Sequence, residues 1–478
     1  MNDTASTPVP TPDSALTLAL ADRIIALRFE TLPRAVVDAA STGLLDSIGV
    51  TLAGSAEPCA VLVRQTLQVA GLSVGACTVL GTELRCGALD AAMMNGVAAH
   101  ALDFDDCNNT VGGHPSVPML PAMLALAETR PVSGAQLVSA YVAGFETMAA
   151  FGRVLNMHHY QKGWHPTATL GIFAGAAASA HLLGLDRERT ATALAIATSL
   201  AAGIKANFGT MTKPLHVGHC ARNALFAALL AEQGFTAQSA ALEHPQGFFE
   251  VFNGAGNYAA KRLLDGWAEP YDLIEPGLAI KAYPCCASTH PAVDAALQLA
   301  DLDGARVTDV ERIVVRSHER RLRHTNRPNP STGLEAKFSV QHCIARALLN
   351  GALTMDHFDG ERHAEASVRA LMARIEAIPH QDDNHFGAYL TLYLRDGREL
   401  TTYVPTPLGR DRDHPLPRAQ LLEKFHACAT RVLQADAAIA IERYLDDITR
   451  LNDTSTLVHL TRAAAHQSHD ATESTRPS

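Results

Sequence analysis

Five histidines stand directly before a proline, at 114, 165, 244, 290 and 414, although 22 His and 24 Pro in 478 residues place only about one such pair by chance. Lys213 and Tyr283 also precede prolines, each followed by a stretch of helical composition. Proline suits the first turn of a helix, where its missing N–H costs nothing, and it keeps the preceding residue out of helical geometry. That preceding side chain is left at the mouth of the helix. The free N–H groups there attract carboxylate or phosphate, and a His or Lys beside them adds a proton donor. A plain turn with a solvated histidine is the alternative for any single pair. The polar settings of His244 (ALEHPQG) and His414 (DRDHPLP) assign those two to it.

Three further clusters carry chemistry. HALDFDD (100–106) follows an apolar helical block. If the helix continues, His100 and Asp103 lie one turn apart, and Asp103, Asp106 and Cys107 share a face while Asp105 points elsewhere. Carboxylates this close repel, so one has a raised pKa or is held by a cation. A metal site and a solvated, capping acidic turn both remain open. KANFGTMTKPLHVGHCARN (205–223) gathers Lys205, Lys213, His216, His219 and Arg222 between apolar blocks. That placement favours a buried anion-binding cluster as much as a solvated face. IKAYPCCASTH (280–290) sets Lys281 and Tyr283 just ahead of an expected helix, at a change of texture in the chain. Cys285 and Cys286 read as small packing residues.

The elements that must position these residues fall into two textures. From about 15 to 272 the chain is helix after helix, rich in Ala and Gly, as in RAVVDAASTGLLDSIGVTLAG and GIFAGAAASAHLLGL. Between 273 and 405 strand patterns appear: VERIVVRS (310–317), and AYLTLYLRDGRELTTYVP (388–405) with its Asp396-Gly397 turn. Helical blocks near 286–301, 336–352 and 363–375 separate them. From 406 to 463 the helical pattern returns and is expected to rejoin the first domain. The polar ends, 1–14 and 464–478, read as loose arms. The fold class is therefore mainly α: a large all-helical domain with a smaller α+β domain.

Composition removes several classes. A net charge of −10 with no long Lys/Arg run leaves no electrostatic footprint for nucleic acid or an anionic membrane. Nine scattered cysteines without a CxxC pair argue against a disulfide framework or structural zinc. No unbroken run of about 18 apolar residues and no leader pattern is present, so a cytoplasmic location is expected. Walker and HExxH motifs are missing. DFDD with LDDIT (445–449) faintly echoes paired Asp-rich motifs, which makes a Mg²⁺-dependent diphosphate lyase one competing class. A non-catalytic helical binding protein is another.

Four blocks in order, HALDFDD with GGHPSVPMLPAMLALAE, GWHPTATLGIFAGAAASAHLLGL, KPLHVGHCARNALFAALLAEQGFT and KAYPCCASTHPAVDA, resemble the MmgE/PrpD family over nearly the whole chain. That family includes 2-methylcitrate dehydratase, cis-aconitate decarboxylase and iminodisuccinate epimerase. The resemblance implies that the α+β domain is a lid, that the assembly is a homodimer, and that the chemistry needs no cofactor and no metal. The expected activity is a lyase acting on a small di- or tricarboxylic acid, with epimerisation of a dicarboxylate as the alternative. Catalysis is expected from Asp103, His114, His165, Lys213 and Lys281, and substrate contact from Cys107, His216 and Tyr283. The lysines would stabilise carboxylate charge, the histidines move the proton, and Asp103 orient a histidine or act as second acid or base. One departure stands out: the family commonly has Thr after DFDD, where this chain has Cys107.

Overall fold

Ala- and Gly-rich helices have little side chain to hold their axes apart, and the computed structural model uses this throughout. It describes residues 16–155, 157–300, 304 and 306–463, so the two expected arms lie outside the described residues. The elements that build the site begin with α1 (Arg34–Gly54), α2 (Ala88–His100), α3 (Gly134–Leu155), α4 (Gly171–Leu183) and α5 (Thr212–Glu232). At the α2–α5 crossing Gly96 faces Gly218. A Cβ on Gly218 would lie 2.5 Å from the Met93 carbonyl oxygen, so neither helix tolerates a side chain there. Gly54 of α1 is as tight, since a Cβ would sit 2.0 Å from the Ala98 carbonyl oxygen on α2.

Arg34–Gly54 and the stretch Pro166–Leu183 are long and apolar enough to cross a bilayer by composition. Most of each is buried against other helices, which is where that apolar surface goes. The helical core runs from Leu20 to Ile280 and takes in Leu421, Phe425, Ile441 and Leu445 of the last long helices. Phe425 lies against Gly49 of α1, so the chain does return to its first helices after the strand-bearing region.

A second core forms around a four-stranded mixed sheet. Its strands are β1 (Val310–His318), β2 (Ile375–His380), β3 (Ala388–Leu394) and β4 (Glu399–Val404), in spatial order β2-β1-β3-β4. β1 pairs parallel with β2 and antiparallel with β3, placing Val315 opposite both Ala377 and Leu390. Ala388, Leu390, Leu392 and Leu394 point inward and alternate with half-buried residues, as a sheet with one covered face requires. Helices α6 (His290–Gln298) and α7 (Val340–Asn350) supply the cover through Val293, Ala296, Ile344 and Ala347. The predicted strand 310–317 and hairpin are present. β2 was not anticipated, and the helix expected from 286 begins at His290.

Candidate active site

The acidic signature does not continue its helix. α2 stops at His100, and Asp103 takes a left-handed backbone with φ of 53°. What breaks the helix is visible in its carbonyls. Those of Leu102, Asp103 and Phe104 accept hydrogen bonds from Lys337 (2.8 Å), Lys281 (2.6 Å) and Lys424 (2.8 Å). Each lysine comes from a different, distant part of the chain. Together they satisfy the polar groups that a continuing helix would have paired, and Asp is among the residues that bear positive φ most readily.

This turn sorts the three carboxylates. Asp103 Oδ1 meets Lys213 Nζ at 2.7 Å and Lys281 Nζ at 3.3 Å. Burial pushes its pKa up, but the two ammonium groups outweigh burial and hold it below the usual carboxylate range. Asp105, expected to point away, is instead the carboxylate that carries the histidines. Its Oδ2 lies 2.8 Å from His100 Nδ1 and 3.1 Å from His114 Nδ1. Asp106 bonds Ser116, whose hydroxyl in turn meets the Tyr141 hydroxyl. Burial pushes Asp106 well above its ordinary value.

His114 and His165 are consequently set in opposite states. Burial works against a charge on His114, but the Asp105 carboxylate and the Cys107 sulfur outweigh it and bring the imidazole to about 10. His165 is pushed well below its ordinary value by burial, then by Lys213. Its Nδ1 lies 3.2 Å from His216 Nδ1, and its buried Nε2 has no hydrogen-bond partner. His100 is also neutral, at about 4, through burial. Among the imidazoles that line the cavity, His114 is therefore charged, while His165 is uncharged with a free ring nitrogen.

The helix-mouth expectation holds at His165, which caps the short turn Pro166–Thr169 with Pro at its first position. It fails elsewhere. No helix follows Pro115; the next begins at Leu120. Lys213 sits inside the first turn of α5, ahead of Pro214. Tyr283 lies well ahead of the helix start at His290 and gives its hydroxyl to Asp294 (2.6 Å), bracing the loop on α6; it does not line the cavity. His216 stands behind His165 and does not line it either. Among the basic span, Lys213 reaches the cavity, whereas Lys205 lies over the Tyr160 ring and His219 pairs with Asn223. The Asp-rich pair has no second half: Asp446 and Asp447 bind Arg418 and Arg450 at the surface.

The opposite wall comes from the second core and was missed. Arg321, only 8% exposed, donates to Ser288 Oγ (3.2 Å) and to the His385 carbonyl, leaving Nη2 buried without a partner. Arg321 and Arg410 lie over the Phe386 ring, 4.9 and 4.8 Å from its centroid. The run HERRLRHTNR (318–327) was the available signal for Arg321. Cys107, on the first wall, has its sulfur 3.8 Å from His114 Nδ1. Burial raises that thiol, but His114 and Lys281 outweigh it and bring it to about 6. The cavity, about 140 Å³, suits a small organic anion.

Donor atoms of His100, Asp103, Asp105 and His114 lie within 4.8 Å of one another, close enough for a metal ion. Their charges say otherwise. Asp103 is taken by two ammonium groups and His114 is itself cationic, so a divalent ion would meet three positive groups at once. The arrangement is an ion-pair network that presents net positive charge to an anion.

Profiles of the MmgE/PrpD N-terminal and C-terminal domains match residues 18–261 and 283–447. Cis-aconitate decarboxylase of Homo sapiens is 31% identical over 464 residues, covering 93% of this chain and 94% of the relative. Cis-aconitate decarboxylase of Aspergillus terreus is 26% identical, covering 91% and 93%. 2-Methylcitrate dehydratase of Salmonella typhimurium is 25% identical, covering 84% and 87%. With both domain profiles matched in order along its length, the chain belongs to the MmgE/PrpD family.

Proposed function

We propose that the protein is a cofactor-independent lyase that decarboxylates a small unsaturated tricarboxylate of the cis-aconitate kind. The observation that carries this reading is the charged imidazole of His114, held by Asp105 beside Lys213 and Lys281 in a cavity lined by Arg320, Arg321 and Arg410. Arg321, with its unpartnered Nη2, and Arg410 receive the remote carboxylates. The lysines receive the carboxylate nearest the reacting carbons. When CO₂ leaves, the electron pair of the broken C–C bond forms a new terminal double bond. The electrons of the old double bond take a proton from His114, giving methylenesuccinate and CO₂. His114 then regains a proton from solvent. The higher identity to decarboxylases than to dehydratases supports this choice.

A second reading, dehydration of a 2-methylcitrate-like acid, is favoured by the free Nε2 of uncharged His165. There His165 removes a proton next to a carboxylate while His114 protonates the departing hydroxyl. A proton NMR time course on chelator-treated protein with cis-aconitate, citrate and 2-methylcitrate separates the two. Vinyl signals of methylenesuccinate with release of CO₂ are expected from cis-aconitate. Interconversion of hydroxy acid and alkene selects dehydration, and no change across the panel contradicts both.

A further inference from the structure

We propose that Cys107 is a covalent modification site, a thiol aimed into the cationic cavity that adds to small carboxylate-bearing electrophiles, 2-methylene dicarboxylates among them. Its backbone is pinned on both sides: the Cys107 N–H donates to the Ala279 carbonyl (2.7 Å), and the Cys107 carbonyl accepts from the Ala279 N–H (2.9 Å). The sulfur is thereby held against the His114 ring at 3.8 Å, on the same wall as Lys281. Arg410 also lines the cavity. A separate feature marks the cavity as a carboxylate site: Arg321 is more than nine-tenths buried and has an unpartnered Nη2. A carboxylate on that guanidinium or on Lys281 brings a short electrophile within reach of the sulfur.

The electrostatics agree with the geometry. The same cations that favour a bound anion favour the thiolate, the nucleophilic form. Cys286 lines the same cavity, but burial pushes its thiol up to about 11. With a 2-methylene dicarboxylate, a C–S bond forms at the terminal carbon and the π pair moves to the carbon bearing the carboxylate. That carbon takes a proton from His114, and no group leaves. Lys281 offsets the acceptor's negative charge, which otherwise opposes attack. With iodoacetate the C–S bond forms as C–I breaks and iodide leaves.

The choice of electrophile rests on the reading that the cavity takes carboxylates; the labelling itself needs no turnover. Wild-type protein is treated in parallel with iodoacetate and iodoacetamide, and adducts are mapped by peptide mass spectrometry. The anionic reagent is expected to modify Cys107 about tenfold or more faster than the neutral one, by local charge attraction. Citrate should suppress labelling, methylenesuccinate should form an adduct at Cys107, and Cys107→Ser should lose both adducts. Faster reaction with iodoacetamide, or labelling at Cys286 in place of Cys107, overturns the proposal. Turnover of the acid panel without Cys107 labelling also overturns it and leaves the lyase reading standing. Anion-selective labelling without turnover supports it and removes the lyase reading.

Discussion

Lys213 and Lys281 share a single carboxylate oxygen of Asp103, so two cations are balanced by one anion and a positive charge is left for the cavity. Lys213→Gln removes that surplus while Asp103 keeps Lys281, so the fold is expected to persist. Oxyanion stabilisation of this kind is worth about 10²–10³ in kcat, and a loss of that size is predicted from steady-state kinetics with unchanged circular dichroism. An unchanged kcat would remove Lys213 from the chemistry. Sequence reading reached Lys213 and His165 because a following proline marked their places. It missed Arg321 and Arg410, whose roles come from Phe386 and Ser288, far from either arginine along the chain. It gave Asp105 the wrong direction for a related reason: no local residue shows that Lys281, Lys337 and Lys424 will draw three carbonyls out of the helix.

Two helices set the distance between the acid signature and its lysine. α2 ends at the acidic turn and α5 carries Lys213 in its first turn, so their separation at Gly96 and Gly218 positions the Asp103–Lys213 pair. Gly218→Ala forces a methyl against the Met93 carbonyl and the Val97 side chain, both at 2.5 Å. Overpacking of this kind costs about 1–3 kcal/mol, to be read from chemical denaturation. Turnover is expected to fall in the same variant, because the crossing lies on the helices that carry the pair. Retained stability and turnover would show that the crossing has slack. Elements with strong local signals were legible, such as the β3–β4 hairpin around Asp396-Gly397 and the alternating β1. β2 was not, because IEAIPH contains Pro379 and is short. Its place at the sheet edge is where a proline is tolerated.

Across the whole molecule, a chain of net charge −10 concentrates buried cations at one seam. The helical core contributes Asp103, His114, His165 and Lys213, and the second core contributes Ser288 and Arg321. Both textures could be read from composition and periodicity. Their meeting point could not, since it depends on how the two cores pack. The central claim is that this seam keeps His114 charged, through Asp105, as the proton donor. The most direct test is the pH dependence of kcat for wild type and Asp105→Asn with the acid that turns over. Because the donor is the protonated form, wild-type kcat should hold through neutral pH and fall only as pH approaches about 10. Asp105→Asn should bring that fall down toward the ordinary imidazole range near 6.5. A wild-type profile already falling near 6.5, or one that Asp105→Asn leaves in place, would contradict the account.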